Sequence, residues 1–457
     1  MSDLLLAYYA DDLTGATDAL EQLATAGVRT TLFLEKPDAT MLKLAAGAQA
    51  IGIAGATRAL PADALEAQLR PALATLSWLR PRHIHYKTCS TFDSSPARGS
   101  IGRALDVARD ACRPRLTAVL GGSPPLGRYC AFGNLFATEN VGGAGAAHRL
   151  DRHPTVSCHP ATPMAESDLR RVLAAQSDAR IELFDVRQWQ RPHQQQREQL
   201  AQLLAEGAGA VLFDAVEDAH LAMFAALAEQ YADGQSPVVS IGSSGVETGL
   251  CRHWSAAGRI SAASAWQHNN GGGLLVASGS CSPVTAAQID WAARHGFAEV
   301  ALDAPALVGA GREQAVGRAA AAAAELLAVG RNVVVHLAKG PADARIAATQ
   351  QRVAPSADTK GGDGVTETLG RSLGRLIDEC LQAAPPARVC LAGGDTSSFA
   401  ARELGIQALE MTGPASPGAP WCRACAPTRR ADQVEFIFKG GQVGTEAFFG
   451  LLASGQD

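Results

Sequence analysis

Two adjacent carboxylates, Asp11 and Asp12, follow the apolar run 4–10. A carboxylate at the end of a buried strand can serve as a general base or touch Mg2+, and Asp12 is the one expected to work on a ligand. The ordinary alternative is an Asp N-cap for a helix starting near Thr14 or Gly15. Arg58 and Lys87 close two further strand-like runs. A guanidinium forks onto a carboxylate and an ammonium adds a point charge, so together they suit a small acidic substrate. Plain surface cations are the rival reading. Ser90, Thr91, Asp93 and Ser94 follow Lys87 and offer the hydroxyls and carboxylate that polyol recognition requires. Cys89 lies among them without a histidine in reach by sequence and reads as packing.

The second half carries three turns of small residues. Gly393-Gly-Asp-Thr-Ser397 follows the apolar run 388–392, and Lys439-Gly-Gly-Gln-Val-Gly444 follows 434–438. Each precedes a helical pattern, 399–404 and 445–452. Glycine at a strand end lets a ligand approach the backbone, and a helix starting beyond it offers N–H groups and a positive dipole end. Ser278-Gly-Ser-Cys-Ser282 joins a strand to a helix and can wrap an anion in the same way. Ordinary tight turns are the alternative for the two glycine turns. A nucleophile elbow around Cys281 is the alternative for the serine turn, but Pro283 breaks its glycine pattern. Together the turns suggest a nucleotide phosphate cradle. There is no Gly-x4-Gly-Lys-Ser/Thr, which excludes a P-loop, and Gly142-Gly-Ala-Gly does not follow a strand, which argues against a dinucleotide fingerprint.

Positioning these residues takes strands that alternate with helices, hence an α/β fold with mainly parallel sheets. Apolar runs at 4–10, 29–34, 48–54, 83–87 and 116–120 alternate with helical patterns at 16–26, 61–79 and 98–109. The candidate residues all follow strands, where open α/β sheets bind ligands. Residues 121–165 read as loop and lid, with His153 and His159 among prolines as loop histidines rather than a metal pair. Alternation then resumes to 238–241. The Ala-, Ser-, Asn- and Gly-rich stretch 259–273 reads as a linker between a domain at 1–258 and another at 274–457. At 457 residues and 47% apolar content the chain can bury two sizeable cores. Its net charge of −5, without a basic stripe, argues against nucleic acid as a partner. No apolar run reaches the roughly 18 residues of a membrane span, and no signal peptide is expected. Ten scattered cysteines read as reduced thiols in a cytoplasm. Cys422-x-x-Cys425 falls in what reads as a Pro-rich loop. A homodimer is expected only from the prevalence of two-fold oligomers.

Taken in order, Ala10–Asp18, Lys87–Ser94, His159–Met164, Ser278–Pro283, Gly393–Ser397 and Lys439–Gly444 resemble the motifs of the four-carbon acid-sugar kinase family along essentially the whole chain. The resemblance implies a sugar-acid-binding N-terminal domain, a nucleotide-binding C-terminal domain and an active site in the cleft between them. It implies ATP-dependent phosphorylation of a terminal hydroxyl on a small sugar acid such as threonate, erythronate, 3-oxo-tetronate or 3-oxo-isoapionate, and Mg2+ is expected with the ATP phosphates. Carried over by position, substrate contacts fall on Asp11, Asp12, Arg58 and the loop Lys87, Thr88, Cys89 and Ser90. Asp12 is the catalytic group, orienting or deprotonating the attacking hydroxyl, while Arg58 and Lys87 pair with the substrate carboxylate. Nucleotide contacts fall on Ser280, Ser282, Gly393, Gly394, Asp395, Thr396 and Gly441. Leu13 stands where Phe is commoner, Ala161 where Val or Asn is usual, and Gly-Gly-Asp where some members have Gly-Gly-Glu. Residues 52–58 and 92–96 look more like the 3-oxo-isoapionate kinase branch. A non-catalytic binding protein on the same fold is the alternative.

Overall fold

The computed structural model describes residues 4–139, 145–157, 163–232, 236–263, 266, 273–353 and 363–455. His159, Ala161, Gly142 and most of the expected linker lie outside the described residues. The strands before residue 243 are β1 (Leu6–Ala10), β2 (Thr30–Phe33), β3 (Ala50–Ala54), β4 (His83–Lys87), β5 (Thr117–Leu120), β6 (Arg128–Ala131), β7 (Asn134–Thr138), β8 (Ala147–Arg149), β9 (Ile181–Phe184), β10 (Ala210–Phe213) and β11 (Val238–Gly242). Those that follow are β12 (Leu274–Ser278), β13 (Ala298–Ala301), β14 (Val333–His336), β15 (Arg388–Ala392), β16 (Ala408–Ser416), β17 (Ala419–Cys425) and β18 (Glu435–Lys439). The chain divides into two units, one of Met1–Thr31 with Glu35–Ser264 and one of Leu32–Leu34 with Ala265–Asp457.

In the first unit the parallel order is β3-β1-β4-β11-β5-β10-β9. Every residue of β1, β3, β4, β5, β10 and β11 is buried. Burial on both faces is why these strands read as continuous apolar runs rather than alternating ones. Helices Leu13–Thr25, Ala62–Trp78, Ile101–Cys112 and Asp218–Ala228 lie between them, and Gly245–Ala256 follows the last. The first of these buries Ala16, Ala19, Leu20 and Leu23, the spacing of one helical face. Gly52 sits in β3 because a Cβ there would meet the Tyr8 ring at 2.1 Å.

Part of the segment expected to be loop is a second sheet. β6, β7 and β8 pair antiparallel. Their short strands, turned by Phe132-Gly133, lack the run length that marks a buried parallel strand. The buried Asp214, after β10, ties this hairpin down by accepting from Phe132 N (2.6 Å), Gly133 N (2.9 Å) and Val186 N (3.0 Å).

In the second unit β13-β14-β12-β15-β18 run parallel. β17 joins β18 antiparallel, and β16 pairs with β17 as a hairpin whose register shifts between Met411 and Ser416. Leu32 and Phe33 pair antiparallel with Leu409 and Ala408. The Pro-rich loop expected around Cys422 and Cys425 is therefore strand. Cys422 and Cys425 are buried in β17, and a separation of three places them on opposite faces of it. No helix among the described residues is long and apolar enough to cross a membrane.

Asp214→Ala leaves three main-chain N–H groups without their acceptor. It is expected to lower the unfolding free energy of the first unit by about 2–4 kcal/mol, read by urea denaturation. A midpoint equal to the wild type's would show that the hairpin does not depend on this carboxylate.

Candidate functional site

In the first unit Ala10 pairs in register with both Ala54 and Lys87, and Lys87 pairs with Gly242. The segments after β3, β1, β4 and β11 therefore leave the sheet side by side, about 4.8 Å apart per strand. Asp12 is the N-cap of the Leu13–Thr25 helix, and its Oδ1 accepts from Gly15 N at 2.6 Å. Its Oδ2 accepts from Arg58 Nη1 at 3.0 Å. The cap and the ionic contact thus use different oxygens of one carboxylate. Arg58 Nη2 reaches Asp93 at 3.2 Å, and Asp93 also accepts from Thr91 Oγ1. A Cβ on Gly15 would lie 3.1 Å from Asp12 Oδ1, 3.7 Å from Asp11 Oδ1 and 3.8 Å from Lys87 Nζ. Asp11, Asp12 and Lys87 are thus gathered around the bare backbone of Gly15. Gly99 is required next to them, because its φ is +57° and a Cβ would meet Arg58 O at 2.3 Å.

The charges are compensated in a definite pattern. Lys87 is 3% exposed and pairs with Asp18 Oδ2 at 3.0 Å. Burial alone would lower its pKa, but Asp18 and Glu247 hold it above the usual lysine value. Ser244 Oγ donates to the same Asp18 oxygen. Beneath, burial pushes the Glu247 carboxyl up to about 8, with Lys87 opposing. Burial pulls His85 down to about 3, and Lys87 adds to that. His85 Nε2 and Glu247 Oε1 are 3.4 Å apart, so near neutral pH they face each other as uncharged groups and not as an ion pair. Asp11 is pushed up to about 7, mainly by burial and then by Asp12, against Arg58 and Lys87. A carboxyl poised there can exchange a proton near neutrality.

In the second unit the three small-residue turns leave the neighbouring strands β12, β15 and β18 and touch. Gly279 N donates to Ala392 O and Gly393 N to Lys439 O, both at 2.9 Å. Thr285 Oγ1 donates to Gly441 O at 3.0 Å. Side chains are excluded where the turns meet. A Cβ would come within 2.4 Å of Thr396 Oγ1 at Gly279, 2.5 Å of the same atom at Gly393, and 3.0 Å of Ser280 Oγ at Gly441. Ser282 caps the Pro283–Arg294 helix by accepting from Val284 N, and the Gly394–Glu403 helix starts directly after Gly393. Both helices begin at the cradle with their N–H ends. Asp395 and Gly394 are exposed and Thr396 is buried. Lys439 is buried and donates to Thr285 Oγ1 and Gly440 O, each at 3.0 Å. Burial pulls it down to about 8.

The first unit gathers Asp11, Asp12, Arg58 and Lys87, with Thr88 buried and Cys89 and Ser90 half-buried beside them. Ser280, Ser282, Gly393, Gly394, Asp395, Thr396 and Gly441 all lie in the second unit's three turns. His153 belongs to neither group. Its Nδ1 accepts from Thr155 N and Val156 N and its Nε2 lies 3.3 Å from Thr138 O, so it shapes its own loop. Sequence reasoning missed Asp18, Glu247 and Ser244. Asp18 lies three residues after Gly15, on the same helix face, which was the available signal. Glu247 follows a Gly-Ser-Ser-Gly turn and only burial distinguishes it.

Residues 6–250 match the family model described as sugar-binding N-terminal domain, and residues 275–449 match the nucleotide-binding C-terminal domain. The chain is 39% identical to a 3-oxo-isoapionate kinase from Paraburkholderia graminis, with 99% of this chain and 95% of that one covered. It is 32% identical to a 3-oxo-tetronate kinase from Methylobacterium radiotolerans, covering 98% of both. Among solved structures, it resembles a protein described as a putative tRNA synthase from Salmonella typhimurium LT2, with TM-score 0.76, 26% identity and 98% of each chain covered.

The folded-state value of Glu247 lies above its ordinary one, so the folded chain holds an extra proton between about pH 4.5 and about pH 8. Stability from this group is full below that window and is lost as the pH rises through it. Glu247→Gln removes the titration. Over this window the wild type's unfolding free energy is expected to fall more steeply than the variant's, with a limiting difference of about 1.4 kcal/mol per pH unit. Parallel profiles in urea titrations at a series of pH values would contradict this.

Proposed function

The chain belongs to the four-carbon acid-sugar kinase family, and on that premise we propose how its two strand-end sites divide the reaction. The protein is a phosphotransferase that acts on a hydroxyl of a small sugar acid. A sugar-acid-binding domain, taken as residues 1–258, holds the acid over Asp11, Asp12, Arg58 and the Lys87–Ser90 loop. A nucleotide-binding domain, taken as residues 274–457, holds the nucleotide on the three turns. The acid is a four-carbon or branched five-carbon one, and the 39% identity to a 3-oxo-isoapionate kinase favours the branched class.

ATP, when bound, supplies the phosphoryl group that is transferred. The glycine contacts fit it: at Gly279, Gly393 and Gly441 a side chain would fill the space between turns, and two helix N-termini start there. Mg2+ bound with the triphosphate would neutralise its charge. Asp12, fixed by Gly15 N and Arg58, orients the terminal hydroxyl. Asp11, poised near neutrality, stands beside it to take up a proton. Arg58 and Lys87 keep N–H groups on the acid's oxygens while their charges stay compensated by Asp12, Asp93 and Asp18. No covalent enzyme intermediate is needed, because phosphoryl transfer rests on positioning and charge neutralisation.

The observation that carries this reading is that the two family matches each fall on one of the two sites. Its first test is ATP consumption with a panel of C4 and C5 sugar acids. Turnover of at least one acid is expected, and none would remove the reading. Asp12→Asn is expected to reduce kcat by about 100-fold or more with KM for ATP unchanged. Full activity would remove Asp12 from the chemistry. Gly441→Val drives a side chain against Ser280 and Ser282. KM for ATP is expected to rise about tenfold or more, with KM for the acid unchanged. An unaltered KM for ATP would take that turn out of the nucleotide site.

A further inference from the structure

The Gly242-Ser-Ser-Gly245 turn, where β11 meets the Gly245–Ala256 helix, is surrounded by buried polar atoms that the division above leaves unused. Ser243 Oγ, Ser123 Oγ and Arg128 Nε have no hydrogen-bond partner, although their residues are only 0%, 1% and 5% exposed. The backbone brings them to one place. β5 and β11 are neighbours with Leu120 opposite Gly242, so the 121–123 turn and Ser243 leave the sheet together. Ser123 and Arg128 pair across an antiparallel bridge, Ser123 N to Arg128 O at 2.8 Å and Arg128 N to Ser123 O at 3.2 Å. A Cβ on Gly245 would lie 2.4 Å from Gly122 O and 3.4 Å from Ser123 Cα. That glycine therefore lets the Ser123 turn close on the start of the helix.

The place adjoins the sugar-acid loop. Thr88 N donates to Gly242 O at 2.7 Å. Cys89, in that loop, is close enough to act electrostatically on both Arg58 and Arg128. β1 and β11 are separated by β4 alone, about 10 Å in all, which suits a short acid with a hydrogen bond at each end.

The charges then separate two kinds of cation. Arg58 is taken by Asp12 and Asp93, and Lys87 by Asp18. Arg128 has no carboxylate partner among the described residues. Its Nη1 donates only to the carbonyls of Leu126, Gly127 and Thr138, each at 3.2 Å. A buried guanidinium that lacks a counter-charge, next to two unpartnered hydroxyls and the positive end of a twelve-residue helix, is complementary to an anion.

We propose that Arg128, Ser123 and Ser243, at the start of the Gly245–Ala256 helix, receive the carboxylate of the sugar acid whose reacting end lies at Asp12. The inference rests on the kinase reading and changes the expected role of Arg58 and Lys87, which then serve the hydroxyl end. Arg128 is a specificity determinant: it makes the enzyme prefer an acid to the matching alditol.

The test uses the full chain, ATP, the best acid from a panel that includes 3-oxo-isoapionate and threonate, and the uncharged alditol of the same carbon skeleton. For Arg128→Met, KM for the acid is expected to rise about 10- to 100-fold, the worth of a charge-assisted hydrogen bond. KM for ATP should stay within about threefold, and the acid-over-alditol preference should collapse by the same factor as the KM change. Arg128→Lys should recover part of the preference, which a merely structural role would not explain. Ser243→Ala, a small change that keeps the fold, should raise KM for the acid several-fold and guards against misfolding of the arginine variants. Thermal melts of each variant accompany the kinetics. An unchanged acid-over-alditol ratio in Arg128→Met and Ser243→Ala, with turnover intact, overturns the carboxylate site and leaves the kinase reading standing. Absence of turnover of every acid by the wild type overturns both.

Discussion

An ammonium almost excluded from water governs the first unit. Lys87 closes a strand whose residues are all buried, and a buried charge costs several kcal/mol unless the protein supplies its partner. Asp18 supplies it from the first helix, and Ser244 holds Asp18 from the turn after β11. Glu247 sits beneath as a carboxyl that burial keeps protonated near neutrality. One cation therefore ties together β4, the Leu13–Thr25 helix and the Gly245–Ala256 helix. Asp11 and Asp12, which do not pair with Lys87, are left for work that Asp18 cannot do. Asp12 joins a cap bond to an ionic bond with Arg58, so the acid is oriented before any ligand arrives. Such preorganisation is what phosphoryl transfer draws on, because the chemistry asks mainly for position.

The second unit uses main chain where the first uses charge. Three strand ends converge, and glycine stands wherever one turn approaches another. Lys439, the first residue of its turn, spends its ammonium on Thr285 and on the carbonyl of Gly440. It braces the turn from within. Two helix N-termini and backbone amides remain free to face an anion, and in the proposed reading they serve a nucleotide whose phosphates are the same in every turnover. A variable sugar acid is better distinguished by side chains, which is where the first unit places its arginines, lysine and carboxylates.

Much of this was legible in the sequence because parallel strands buried on both faces leave an uninterrupted apolar run. Lys87, Asp11 and Gly393 were conspicuous at the ends of such runs. The family motifs then covered both units. What escaped notice depended on distant partners. The β6–β8 sheet is built from strands of three to five residues and is anchored by Asp214 from far along the chain. The β16–β17 hairpin carries Pro414, Pro417 and Pro420 with Gly413 and Gly418, loop signals that irregular antiparallel pairing tolerates. Arg58 and Lys87 were read as cations awaiting a carboxylate, whereas each is matched by carboxylates of the chain itself. Asp18 closes the first motif but was not singled out within its helix, and Glu247 becomes notable only once burial is known.

The most direct measurement is a crystal structure of the protein with its sugar acid and a non-hydrolysable ATP analogue. The acid is expected with its reacting hydroxyl at Asp12 and its oxygens within hydrogen-bond reach of Arg58 and the Lys87–Ser90 loop. The phosphates are expected on the 278–283, 393–397 and 439–444 turns. An acid bound away from Asp12, with the Arg58–Asp12 and Lys87–Asp18 pairs undisturbed and the three turns bare, would contradict it.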